Sequence, residues 1–87
     1  MKIKPDFILK QIAGSYVVIP LRSAAVNFNA VIKLSETGAF LWEQLSKGAE
    51  KEDLVDALLS EYDVDEATAA GDVDRFLMKL KEADLID

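Results

Sequence analysis

The sequence contains no cysteine and no histidine. The first absence excludes disulfides and thiolate nucleophiles, and it fits a reducing, cytoplasmic setting. The second removes imidazole bases, and the two together remove the commonest zinc ligands. Proline occurs twice and glycine four times, with no glycine-rich stretch to cradle a phosphate. No apolar run approaches the roughly 18 residues of a membrane-spanning helix. The opening Met1-Lys2-Ile3-Lys4-Pro5-Asp6 lacks an apolar core and cleavage site, so no secretory signal is expected.

What is present is 87 residues with a hydrophobic fraction of 51%. That predicts one domain spanning 1–87 around one core, with the modest stability of a small chain. It leaves no room for a substrate cleft between two domains. The net charge of −6 is unevenly placed. Residues 1–34 carry Lys2, Lys4, Lys10, Arg22 and Lys33 against Asp6 alone, whereas residues 35–87 carry five bases against fifteen acids. Such asymmetry mostly reflects solvated helix faces; functionally, it offers a positive sheet edge to an acidic segment.

Phe7 to Ala13 and Tyr16 to Leu21 read as strands from their β-branched and aromatic content. Gly14-Ser15 between them suits a two-residue type II′ turn. Ile8, Ile12, Val17, Ile19 and Leu21 then share one face, and Phe7, Leu9, Tyr16 and Val18 the other. Both faces are apolar, which leaves open which one meets the core. Pro20 belongs at a strand end or edge. Arg22 to Asn27 reads as a loop. Phe28 to Leu34 alternates as a third strand, with Phe28, Ala30, Ile32 and Leu34 inward and Asn29, Val31 and Lys33 outward.

Ser35 is a good N-cap for a first helix, with Glu36 in its first turn and Gly48 past its end. Gly38, Leu41, Trp42 and Leu45 share a helical face. A second helix is predicted over Glu50 to Glu61, on a stripe of Leu54, Val55, Leu58 and Tyr62. A third runs from an Asp65 cap to about Ala83, with Val73, Phe76, Leu77 and Leu80 inward. Gly71 within it marks a kink or a close backbone approach. Leu85 and Ile86 are expected to fold back on the core. Strands grouped before helices indicate an α+β fold: a three-stranded antiparallel sheet followed by three helices, winged-helix-like.

Chemistry is hard to find in this inventory. Asp63-Val64-Asp65-Glu66 alternates carboxylates like the start of a calcium loop, but Thr68 stands where such a loop needs glycine. A turn followed by a helix cap is the better reading. The carboxylates lie in polar helical runs, not in a desolvated pair. No catalytic residue, metal site or cofactor is therefore expected. A winged-helix DNA-binding or regulatory module is the alternative. Its recognition helix would carry Asp65, Glu66, Asp72, Asp74, Glu82 and Asp84 against Arg75, Lys79 and Lys81, and phosphates would repel it. Phe40 lies off the main stripe of the first helix: either it widens the buried face or it anchors a partner.

Together these residues resemble the PqqD-like family. The resemblance rests on Ile12-Ala13-Gly14 before a strand, Asn29 in the third strand, and Leu34-Ser35-Glu36-Thr37-Gly38-Ala39-Phe40-Leu41-Trp42. It continues through Leu54, Leu58, Tyr62-Asp63-Val64, Asp72-Val73 and Phe76-Leu77-Leu80. The family usually has Asn at the Ser35 position and Thr or Ser at the Glu50 position, changes that touch helix caps only. The resemblance implies a non-catalytic recognition element for ribosomally made, modified peptides. Such an element binds the leader of a precursor as an added strand and presents it to a radical SAM or other peptide-modifying enzyme, as in pyrroloquinoline quinone biosynthesis. Mapped onto this chain, Asn29, Ala30, Val31, Ile32 and Lys33 form the pairing edge. Asp72, Arg75, Phe76 and Lys79 wall the groove, with Arg75, Lys79 and Lys33 placed to meet leader carboxylates. The flank with Asp74, Met78 and Lys81 is the competing wall. Nucleic acid and membrane are not expected as partners, and the chain is expected to be a monomer or a weak homodimer through its open edge.

Overall fold

The computed structural model is described over residues 1–22, 24–28 and 31–86. Its elements run β1 (Phe7–Ile12), β2 (Ser15–Pro20), α1 (Ala24–Asn27), β3 (Lys33–Leu34), α2 (Glu36–Ser46), α3 (Lys51–Glu61) and α4 (Glu66–Glu82). The strands form an antiparallel sheet in the order β1-β2-β3. The α+β expectation of a three-stranded sheet followed by three long helices holds, with one short helix added between β2 and β3.

The hairpin turn differs from the type II′ expectation. Ile12 pairs with Ser15, so Ala13 and Gly14 are the two turn residues. Their φ values are 51° and 81°, the signature of a type I′ turn. The pairing therefore shifts by two residues from the expected register. A shift of two preserves the alternation, so the expected division into faces survives. Burial decides between those faces. Val18 is buried and Phe7, Leu9 and Tyr16 are half-buried against the core, while Ile8 and Ile12 are 40% and 50% exposed.

The third strand is shorter than the predicted Phe28 to Leu34. Of the residues expected in it, Asn29 and Ala30 lie outside the described residues. Val18 N–H donates to the Ile32 carbonyl at 3.0 Å. Beyond Val18, the next β2 position facing that way is Pro20, which carries no N–H. Phe28 is instead packed edge-on to Phe7, with ring centroids 5.2 Å apart. The inward–outward alternation holds where it is described: Ile32 and Leu34 are buried, and Val31 is 79% exposed. Residues 24–27, expected within a loop, form α1.

One residue separates β3 from α2. Ser35 Oγ accepts from Gly38 N–H at 3.1 Å, as its N-cap role predicts. Gly38 is in the first turn, where a Cβ would meet Leu34 Cβ at 3.2 Å. Glycine there lets the strand end and the helix start approach closely. Gly48, at φ 88°, ends α2 by donating to the Leu45 carbonyl. The start of α3 is held from inside the helix: the Asp53 carboxylate accepts from Glu50 N–H at 2.8 Å.

Asp65 caps α4, accepting from Thr68 N–H at 2.7 Å. The other end closes in a Schellman arrangement. Asp84 takes the left-handed conformation at φ 59°, its N–H donates to the Lys81 carbonyl, and Leu85 N–H donates to the Leu80 carbonyl. That turn folds Leu85 and Ile86 back onto the core, where they are 0% and 3% exposed. Gly71 makes no close approach to another element's backbone. A Cβ there would touch only the Arg75 guanidinium, at 3.6 Å or more.

The core gathers Val18, Ile32 and Leu34 from the sheet side with Leu41, Trp42, Leu45, Leu54, Leu58, Val73, Phe76 and Leu80 from α2, α3 and α4. Each fully buried leucine contributes about 1.5–3 kcal/mol relative to exposure. Trp42 is a core residue, as its place on the α2 stripe predicts. No helix of the described residues is long and apolar enough to cross a membrane.

Candidate peptide-binding groove

β3 is an edge strand, and the hydrogen-bond phase shows which of its groups are free. In an antiparallel ladder, bonded and non-bonded residue pairs alternate. The Ile32 carbonyl bonds to β2, and Lys33 is the next residue along, opposite Val17. The N–H and C=O of Lys33 therefore point away from β2. The Lys33 carbonyl confirms this orientation, since it accepts from Lys79 Nζ of α4 at 2.8 Å.

That contact crosses a groove of about 290 Å³ between the β3–α2 corner and α4. Asp72, Arg75, Phe76 and Lys79 line its α4 side, at helical spacing along one flank. Leu34, Ser35, Thr37, Gly38 and Leu41 line the other. Phe76 is 6% exposed and forms the apolar floor. Arg75 is paired with Asp72 on the same helix, and its side chain is largely solvent-exposed. Lys79 and Arg75 place two cations beside the outward-facing β3 backbone.

The positions expected from the sequence fall as follows. Val31, Ile32 and Lys33 lie along β3 and its approach, and Asn29 and Ala30 lie outside the described residues. Ile32 turns its side chain into the core and its carbonyl to β2, leaving Lys33 as the residue whose backbone faces outward. Lys33 meets the groove through its carbonyl; its side chain shares the outer sheet face with Val31. The competing flank of α4, with Asp74, Met78 and Lys81, borders a separate depression with Met1 and Lys51. There Lys51 pairs with Asp74 at 2.7 Å, and no strand residue takes part.

The sequence reading missed the far wall, built from Ser35, Thr37 and Gly38. The signal was present in the Leu34–Trp42 stretch: a strand end, one cap residue and a glycine in the first turn bring the helix start against the strand edge.

Outside the groove, the cap of α4 holds a carboxyl in its ionised form. Accepting from the Thr68 backbone N–H, and then from the Thr68 side chain, holds the Asp65 carboxyl below the ordinary carboxylate range.

Comparison with known proteins agrees with this architecture. Residues 15–86 match the family of coenzyme PQQ synthesis protein D (PqqD). Among solved structures, the chain is similar to TbiB1 in complex with the TbiA(beta) leader peptide. The two share 29% identity over 100% of this chain and 95% of that one, with a TM-score of 0.77. It is also similar to lasso peptide synthetase B1 complexed with the leader peptide, at 26% identity over 93% of this chain and 89% of that one, with a TM-score of 0.70. No curated protein matches the chain.

Proposed function

This chain belongs to the PqqD family, and on that footing we propose that it is a leader-peptide recognition element. It takes the leader of a ribosomally made precursor as a strand on β3 and presents it to a modifying enzyme. The open β3 edge carries the reading: Lys33 turns its backbone donor and acceptor toward a groove walled by α4. Edge pairing supplies sequence-independent affinity, and alternate leader side chains entering the groove supply specificity. Phe76 takes an apolar leader residue, and Arg75 and Lys79 take carboxylates. Residues 29–33 form the pairing edge, and the flank bearing Asp72, Arg75, Phe76 and Lys79 is the wall used.

In the free protein Lys79 occupies the Lys33 carbonyl. An incoming peptide N–H replaces it there and releases the ammonium toward the leader. The chain performs no catalysis itself. It works in the cytoplasm beside the modifying enzyme, whether a radical SAM protein or another class. The likeness to two structures containing leader peptides supports this reading over DNA binding, which the acidic composition of α4 disfavours.

Titration of the ¹⁵N-labelled protein with a synthetic precursor leader tests it. Amide shifts are expected in residues 29–34 and in Asp72 to Lys79. Shifts confined to the Asp65 turn or α3 would overturn the assignment. A low-salt gel shift with clear DNA binding would overturn the functional class.

A further inference from the structure

The sheet has a second edge. Among the described residues, β1 pairs with β2 alone. On its inner side, Leu21 N–H donates to the Asp6 carbonyl at 2.7 Å. Val18 N–H meanwhile faces β3, so Leu9, opposite Val18, belongs to a non-bonded β1–β2 pair. The alternation then directs the backbone groups of Phe7, Leu9 and Gln11 outward. Among the described residues, none of these groups has a hydrogen-bond partner across that edge.

The side chains of Phe7 and Leu9 lean into a cleft of about 580 Å³ between β1 and α2. Phe40 and Tyr62 stand over it edge-to-face, with ring centroids 5.6 Å apart. Glu36 and Glu43 lie with Phe40 on one face of α2, at helical spacing. No lysine or arginine lines the cleft, and neither glutamate forms an ion pair among the described residues. Glu36 is accounted for by the first turn of α2, where the helix dipole favours an acid. Glu43 is in the last turn, where the dipole disfavours one. Aromatic rings and unpaired carboxylates beside a free strand edge fit cationic side chains with aliphatic stems.

We propose that the β1 edge and this cleft form a second docking site, which takes an extended basic segment of the modifying enzyme by strand addition. The identification of the enzyme rests on the leader-recognition reading; the chemistry of the site does not. Charge separates the two occupants. The β3 groove offers Arg75 and Lys79, whereas the β1 cleft offers Glu36 and Glu43, so one segment does not suit both. Leader and enzyme then extend the same sheet from opposite sides, which joins them without competition.

The test titrates the full ¹⁵N-labelled chain with a capped peptide of alternating valine and arginine. Two controls are its valine–glutamate counterpart and a version N-methylated at alternate residues. Shifts in Phe7 to Gln11 and Phe40 to Glu43 are expected with the arginine peptide alone. The double variant Glu36→Gln, Glu43→Gln should weaken its binding by roughly tenfold while leaving leader affinity unchanged. Equal binding of the glutamate or N-methylated peptide would overturn the site.

Repeating the titration on leader-saturated protein should give the same affinity; displacement by the leader would overturn the separation of occupants. Purified enzyme that modifies the precursor should bind the chain and be displaced by the arginine peptide. Enzyme binding indifferent to both the peptide and Glu43→Gln would overturn the choice of partner. Absence of leader shifts in residues 29–34 would count against the leader site alone, because the peptide titration is read at different amides.

Discussion

Individual residues carry local costs that substitution exposes. Ala13 sits at φ 51° in a type I′ turn, a conformation that costs an L-residue about 1 kcal/mol and that asparagine tolerates better. Ala13→Asn should therefore raise the denaturant midpoint without changing the slope. Gly71 lies mid-helix, where a methyl group meets only the end of a flexible side chain. Gly71→Ala should stabilise by about 1 kcal/mol in the same measurement. Ser35→Ala removes the acceptor for Gly38 N–H and should cost about 1 kcal/mol. Asp65 sets a pH dependence. Its folded-state pKa is lowered, so its contribution is present above the unfolded carboxylate value and is lost as pH falls through the lowered one. In acid titration followed by circular dichroism, Asp65→Asn should remove that part of the stability loss.

At the scale of elements, the β3–α2 corner governs the site. β3 offers few outward-facing backbone groups, and each matters because its ladder with β2 spans only Lys33 and Leu34. Val31→Pro deletes a donor that has no backbone partner among the described residues, so the fold should persist while leader binding falls below detection in calorimetry. Unchanged affinity with an intact fold would exclude strand addition at that residue. On α4, Arg75 and Lys79 act mainly as charges near an exposed groove. The double variant Arg75→Ala, Lys79→Ala should weaken binding of an acidic leader by roughly tenfold at low salt, with the difference shrinking as salt screens the pairs.

For the molecule as a whole, the notable tie is between its two ends. Lys4 N–H donates to the Leu85 carbonyl at 2.8 Å, and Ile3 bridges Ile86 beside the core. Leu85 is fully buried. Leu85→Ala should cost about 2–5 kcal/mol, a large share of the roughly 5–15 kcal/mol that holds small domains together. Thermal unfolding should report this as a lower Tm with a single transition. The sheet edges belong to this scale too. A chain with two open edges is exposed to self-pairing, and sedimentation over a range of concentrations tells a monomer from a weak homodimer.

The sequence by itself determined the three long helices, because their signals are local. Ser35, Gly48 and Asp65 act on backbone groups within a turn of themselves, and the apolar stripes of α2, α3 and α4 follow from helical spacing alone. It also placed Asp72, Arg75, Phe76 and Lys79 on one helical flank. The tertiary structure decided what depends on partners distant in sequence. The hairpin's apolar faces were separable by alternation, but only packing against α2 and α4 chose the Phe7, Leu9, Tyr16 and Val18 face for the core. The third strand's paired length, Lys33–Leu34, was set by its contact with β2 rather than by the alternation of its own residues. The second cleft emerged only when Phe7, Phe40 and Tyr62, far apart in the chain, were brought together around a strand edge.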